Sequence, residues 1–381
     1  GLSLALILLT AYIFMNPIGT PSPTPSPSPT LTSTALPYLK GYQVSTNERE
    51  KIQGMTASSP SISLTWFQEE DVTRIKNSGA NCIDLNGMRL GQYMSGRATP
   101  NEAYFNGWVD QYVNWGSSHQ VYVVLSVYGF TQHTTQWGVY WMPSWFWEDY
   151  GTAKPTTLRQ MAEIELAFWN PNIAKMEPSR KSFIDAWVFM ANRYRDNGYV
   201  IFNLINEPMH HIHTQLTYDG DAYGHYYAQF MERTIDAIRA TGATNMIIVD
   251  VPSIYIGDRW SHVFPINRDI VWEDHKYISA SNPTLDGFKA NLDKAVQKIK
   301  VQFGRPLQIG EWGFDPENYG WTTYQNNKNM ITEMANYLDS KGLFGRVFYN
   351  YEVFEGEYVD QMVRNIYDSA QSDEIMRILG G

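Results

Sequence analysis

Three observations predict an α/β fold built from repeated βα units, with parallel strands covered by helices. Short apolar runs alternate with amphipathic stretches from Leu36 onward, the pattern left by strands joined through crossover helices. Val200–Ile205 (VIFNLI) is apolar almost without interruption, as a strand buried on both faces reads. Two of the apolar runs end in a glutamate, Glu207 in Asn206-Glu207-Pro208 and Glu311 in Gly310-Glu311-Trp312-Gly313. In a barrel of parallel strands, that C-terminal rim is where chemistry sits.

Each element follows from the same alternation. The periodicity places strand one near Lys51–Ala57, helix one near Phe67–Asn77, strand two at Asn81–Asn86 and helix two at about Ala103–Ser117. Strand three is Val121–Val127, helix three Arg180–Arg195, strand four Val200–Ile205 and helix four Gly224–Ala240. Strand five is Met246–Asp250 and strand six Ile270–Asp274, but the stretch between Val251 and Asp269 shows no convincing period for a fifth helix. Helix six covers Leu285–Gln302, strand seven Leu307–Gly310, helix seven Thr323–Ser340, strand eight Arg346–Asn350 and a last helix about Gln361–Ile378. The connection Tyr128–Ser179 is too long for a plain loop, so it should be functional or carry structure of its own. Its Trp137, Trp141, Trp145 and Trp147 are candidate stacking platforms in a cleft wall or an aromatic minicore beneath the loop.

Residues 1–19 form an apolar segment, with Leu2–Met15 close in length to a membrane span and to the apolar region of a secretory signal. Residues 20–35 are a Pro/Ser/Thr linker with too little apolar surface to fold and prolines that keep it extended. We therefore expect residues 36–381 to be a catalytic domain held outside the cytoplasm, secreted or tethered to the membrane.

Glu207 and Glu311 read as a pair for a chemical reason. Retaining cleavage of a glycosidic bond uses one carboxyl group as acid then base and a second as nucleophile, about 5 Å apart, whereas inversion needs a wider gap. Asn206-Glu207-Pro208 alone also admits a helix start as the lesser alternative, with Asn as cap and Pro just inside. A second glutamate ending its own strand favours the catalytic reading.

At these residues the chain resembles glycoside hydrolase family 5. The resemblance runs from Phe183-Ile184-Asp185-Ala186-Trp187 through Ala191-Asn192-Arg193-Tyr194 to Asn206-Glu207-Pro208, then returns at Asp274-His275-Lys276-Tyr277 and Ile309-Gly310-Glu311-Trp312-Gly313. It implies a (β/α)8 TIM barrel acting on β-linked sugars. It also implies Glu207 as acid/base, Glu311 as nucleophile, Asn206 on the sugar 2-hydroxyl, His275 in the hydrogen-bonded shell and Tyr277 as a donor to the nucleophile. His-x-Tyr spacing puts those two side chains on one face of a strand.

Three positions depart from the family. Asp84 stands where a strand-two arginine supports the nucleophile, with Arg89 five residues later as the rival cation. Tyr128, with His133 nearby, replaces the strand-three histidine. Tyr349, with Tyr351 as rival, replaces the tryptophan after strand eight. We count Tyr128, His133, Trp137, Trp141, His210, Trp312 and Tyr349 as candidate substrate-binding residues, with Arg89 supporting the pair.

Composition bounds the rest. A net charge of −10 without a basic face argues against a nucleic-acid partner. Cys82 is the sole cysteine, which excludes an internal disulfide and a cysteine-based metal site. His210, His211 and His213 match no metal-ligand spacing, so no cofactor and no catalytic metal are expected. Thirteen Trp and 25 Tyr suit sugar stacking as well as a large core. The expected activity is retaining endo-hydrolysis of a β-1,4-glucan by a monomer. β-Mannan, exo action on short oligosaccharides, and a catalytically silent sugar-binding barrel stand as alternatives.

Overall fold

The alternation of side chains along each strand sorts the apolar residues into two separate layers, one inside a barrel and one beneath its helices. The computed structural model describes residues 37–45, 67–89, 94–97, 99–128, 142–210, 212–254, 256–279, 283–314, 323–354, 357–359 and 369–381. Strands β1 (Leu39–Ser45), β2 (Cys82–Arg89), β3 (Tyr122–Tyr128), β4 (Val200–Asn203), β5 (Ile247–Asp250), β6 (Val271–Ile278), β7 (Leu307–Phe314) and β8 (Gly345–Phe354) bond to one another in chain order. β8 returns to pair with β1 in parallel, Leu39 opposite Gly345, which closes the (β/α)8 barrel.

Inside, the N-terminal strand positions are apolar: Leu39, Cys82, Val124, Ile201, Ile248 and Val271 pack as a plug. Two residues further along the strands, the inward positions turn polar, with Asp84, Ser126, Asn203, Asp250 and Glu273 all buried. Outside, Ile83, Leu85, Val123, Leu125, Phe202 and Val249 pack under the helices in the main core. Cys82, expected to behave as a small hydrophobe, is fully buried in the plug.

The main α-helices among the described residues are α1 (Glu69–Asn77), α2 (Asp110–His119), α3 (Ser144–Tyr150), α4 (Leu158–Trp169), α5 (Glu177–Tyr194), α6 (Gly220–Ala240), α7 (Leu285–Ala295), α8 (Tyr324–Asp339) and α9 (Ser369–Gly380). Their starts carry the expected caps: Thr157 accepts from Gln160 N–H, Asp219 from Ala222 N–H and Thr284 from Gly287 N–H. Between β5 and β6, where the sequence shows no period, a single 3₁₀ turn (Arg259–His262) is found among the described residues. Arg346 of β8 is buried; it donates to Asp339 at the end of α8 and to the Leu379 carbonyl of α9 at 2.6 Å, joining the last elements to the barrel.

Strand one is a correction. The strand is Leu39–Ser45 rather than Lys51–Ala57, and residues 51–57 lie outside the described residues. Its polar Lys40 and Gln43 and its glycine hide the apolar signal, yet each has a structural reason. A Cβ on Gly41 would sit 2.4 Å from the Cys82 carbonyl, so β1 can approach β2 only without a side chain there.

The long connection after β3 carries its own structure, α3 and α4. Trp145, a candidate platform, is buried in the core, and Trp147 packs against it half-buried. Among the described residues, no helix is long and apolar enough to cross a membrane. The apolar segment and the Pro/Ser/Thr linker lie outside the described residues.

Candidate active site

After β4 the chain continues through buried Leu204 and Ile205 and then turns sharply. Glu207 and Met209 take left-handed backbone angles, φ 44° and 64°. Such angles cost non-glycine residues about 1 kcal/mol or more and persist only where surrounding contacts impose them. Those contacts are present: Glu207 N–H donates to Asp250 Oδ2 at 2.8 Å, Asn206 N–H to the Val127 carbonyl at 2.8 Å and Met209 N–H to Glu165 Oε1 at 2.8 Å. Glu165 comes from α4, so the insertion after β3 helps hold the turn that presents Glu207. Burial pushes the Glu165 carboxyl up to about 7, against the pull of its bonds from Met209 and Trp169.

Glu311 reaches the site through an irregularity in β7. Across β6 and β7 the register runs Asp274 opposite Ile309 and then His275 opposite Glu311, leaving Gly310 without an opposing residue. That extra residue resets the alternation, so Gln308 and Glu311 both face inward. Glu311 is buried and held on both oxygens, with Tyr277 O–H donating to Oε2 at 2.5 Å and Gln43 Nε2 to Oε1 at 2.6 Å.

His275, on β6 between them, joins the pair. Its Nδ1 lies 2.9 Å from Glu207 Oε1 and 3.3 Å from Glu311 Oε2. Its Nε2 lies 3.4 Å from Glu273 Oε1 and 3.6 Å from Asp250 Oδ2. Burial alone would lower the imidazole, but Glu311, Glu207, Glu273 and Asp250 around it outweigh burial and hold it well above the usual histidine range. Burial likewise pushes Glu311 up to about 7, with Glu207 adding to the rise and His275, Tyr277 and Gln43 opposing it.

Asp84 is fully buried and accepts from Ser126 O–H at 2.6 Å; burial, with Glu273 and Glu311 nearby, raises its carboxyl well above the usual carboxylate value against the pull of that bond. Asp250 is held up by burial and Glu273 in the same way.

The other candidates fall as follows. Asn206 is buried beside the pair, with its Nδ2 lacking a partner among the described residues. His210, partly exposed, places Nδ1 3.6 Å from Glu207 Oε2. Tyr349 stands edge-on to Tyr277, ring centroids 6.2 Å apart. Trp312 is a correction: expected to touch substrate, it faces outward from β7, fully buried against Phe348 and beneath the Arg346 guanidinium. Arg89 and Tyr128 oppose each other on β2 and β3. Their side chains, with His133, Trp137, Trp141, His211 and His213, lie outside the described residues. Sequence reasoning missed Gln43, Glu165 and Glu273, of which only Glu273 sits near a quoted motif.

Two groupings bring carboxylate and imidazole atoms within 4.8 Å of one another, Glu207–His275–Glu311 and Asp250–Glu273–His275. In both, the His275 ring lies between the acids, with Nδ1 at hydrogen-bond distance from Glu207 Oε1 and Nε2 from Glu273 Oε1. The same spacing puts a carboxyl oxygen of Glu207 within 4.8 Å of one of Glu311.

The family model for cellulase (glycosyl hydrolase family 5) matches residues 45–353. The chain belongs to glycosyl hydrolase family 5. Within the family it is 28% identical to the manganese dependent endoglucanase Eg5A of Phanerodontia chrysosporium over 171 residues, 39% of this chain and 40% of that protein. The match thus spans about two fifths of that relative. Endo-glycoceramidase II from Rhodococcus sp. shares the fold, with a TM-score of 0.65 at 17% identity over 88% of this chain and 78% of that one. A GH5-4 broad specificity endoglucanase from Clostridum cellulovorans shares it with a TM-score of 0.62 at 16% identity, over 92% and 96% of the two chains.

Proposed function

We propose that this family 5 chain cleaves β-glycosidic bonds with retention of configuration, by double displacement, and that its substrate is a β-1,4-glucan cut internally. The observation that carries the reading is the approach of the Glu207 and Glu311 carboxyl oxygens to within 4.8 Å. Retaining enzymes hold their carboxyl groups about 5–5.5 Å apart, and inverting enzymes about 6.5–9.5 Å to admit a water.

Glu311 attacks the anomeric carbon and forms the glycosyl ester. Its two donors, Tyr277 and Gln43, fix the carboxylate in place and favour its charged form. Glu207 gives its proton to the departing oxygen, then takes one from the water that hydrolyses the ester. His275 Nδ1 lies 2.9 Å from Glu207 Oε1 and 3.3 Å from Glu311 Oε2, so its charge is coupled to the charge that each carboxyl group carries through the cycle. Asn206, with its unpartnered Nδ2, is placed beside the acid/base to meet a sugar hydroxyl. The endoglucanase relatives support the choice of glucan.

The test is reducing-sugar release by the full chain from carboxymethylcellulose, mixed-linkage β-glucan, glucomannan, galactomannan and xylan, with the anomer of the first product read by NMR. The expected result is β-anomer from the glucans, lost by at least 10³-fold in Glu207→Gln and Glu311→Gln, the scale at which nucleophile or acid/base removal acts. An α-anomer first product would exclude double displacement, and preference for galactomannan would replace glucan by mannan.

A further inference from the structure

We propose that Glu273 is the buried counter-charge that keeps His275, the ring between Glu207 and Glu311, a cation. The inference rests on the double-displacement reading for its catalytic meaning, though not for its geometry.

Glu273 lies fully buried at the centre of the barrel. Asn203 Nδ2 donates to its Oε1 and Gln308 Nε2 to its Oε2, both at 2.8 Å. Two donors on one carboxyl group suit the ionised acceptor, which offers lone pairs on both oxygens. The backbone also makes room for it: a Cβ on Gly310 would stand 1.9 Å from the Glu273 carboxyl carbon. An ionised carboxylate in such a place is strongly unfavourable without a partner. His275 Nε2 at 3.4 Å is that partner, and Nδ1 of the same ring spans the catalytic pair.

The groups facing the imidazole come from five strands and the turn after β4. They are Glu207 from that turn, Asp84 on β2, Asp250 on β5, Glu273 on β6 itself and Glu311 on β7, with Gln43 of β1 on Glu311. Asp274 accepts from the His275 backbone N–H, but it faces the other side of β6 and pairs with Lys276 and Arg259. Those two cations are therefore committed away from the pair. Among the described residues His275 is the buried imidazole that reaches both glutamates, while His210, partly exposed, lies 3.6 Å from Glu207, consistent with the upward displacement of His275 noted above.

Glu273→Gln keeps the shape and removes the charge. His275 then sheds its proton at lower pH, so the alkaline limb of kcat/KM should move down by at least one pH unit, about a tenfold loss at a fixed pH on that limb. A merely structural role would lower the melting temperature and leave the limb in place, which would overturn the proposal. Should Glu273→Gln fail to fold, imidazole ¹⁵N NMR of the parent decides, with the His275 signals assigned by comparison with His275→Asn. Both ring nitrogens should still be protonated at pH 7, above the ordinary histidine value, whereas a neutral His275 at pH 7 would overturn the proposal. The NMR result does not depend on turnover, so a parent inactive on every glycan would sink the functional reading alone.

Discussion

Gln43 is the residue that the sequence conceals most completely. Nothing in Leu39–Ser45 marks a catalytic contact, and its partner Glu311 lies 268 positions away, so only barrel closure brings them together. Its bond to a carboxylate belongs to the class worth about 1.5–3 kcal/mol. We expect Gln43→Met to lower kcat/KM about 10–100-fold by that arithmetic. Losing a donor to the ionised form raises Glu311 further above about 7. Activity falls as pH drops through that value, because the nucleophile protonates, so the acid limb should move to higher pH in the variant; an unmoved limb would deny Gln43 its role. Glu207, Glu311, His275 and Tyr277, by contrast, stand out in the sequence because each sits in a short motif at a strand end, and the fold brings the four together. Trp312 misled because it borders the nucleophile in sequence while facing the opposite side of the strand.

Among the elements, β7 shows how local irregularity creates function. A regular strand would alternate Gln308 in, Ile309 out, Gly310 in and Glu311 out, and the extra residue at Gly310 turns Glu311 to the interior. The sequence shows the glycine without the reason, since the crowding comes from Glu273 on the neighbouring strand. Gly310→Ala should force that carboxylate aside, with a cost of about 1–3 kcal/mol or more for overpacking. The expected outcome is a lower melting temperature together with loss of turnover; a variant as stable and active as the parent would refute this account. The βα alternation fixed seven of eight strand positions closely. It failed at β1, where inward polar residues serving the site dilute the apolar signal. The insertion after β3 was legible as structured, but the service of its α4 to the Glu207 turn was not, because a buried Glu165 reads as an ordinary helix residue.

For the molecule as a whole, the barrel interior grades from an apolar plug to a chamber of acids, and this governs its response to pH. Asp84, Asp250 and Glu311 are held above their ordinary values, as is His275. For each such group the folded chain binds protons that the unfolded chain releases. Their stabilising effect is fully present below the unfolded pKa, about 4 for the acids and 6.5 for the histidine. It is lost as pH rises through the folded values, about 7 for Glu311. Melting temperature should therefore fall from pH 5 to pH 8 in thermal unfolding; a rise across that window would contradict the protonation pattern. Below pH 4 the trend reverses, since paired surface acids such as Asp236 and Asp339 are held low and lose their partners on protonation.

The closure of β1 on β8 has a consequence in time. The ribosome makes Gln43 near the start of the folded region and Gly345 only after some 300 residues more, yet Leu39 must pair with Gly345 before the ring exists. Glu207 and Glu311 are both synthesised while the first strand still has an open edge, and unpaired strand edges invite aggregation and wait on slow long-range contacts. A nascent chain halted before β8 would hold both Glu207 and Glu311 without the strand that closes the barrel around Gln43. Competence then arrives with the last strand, in a single late event rather than by degrees.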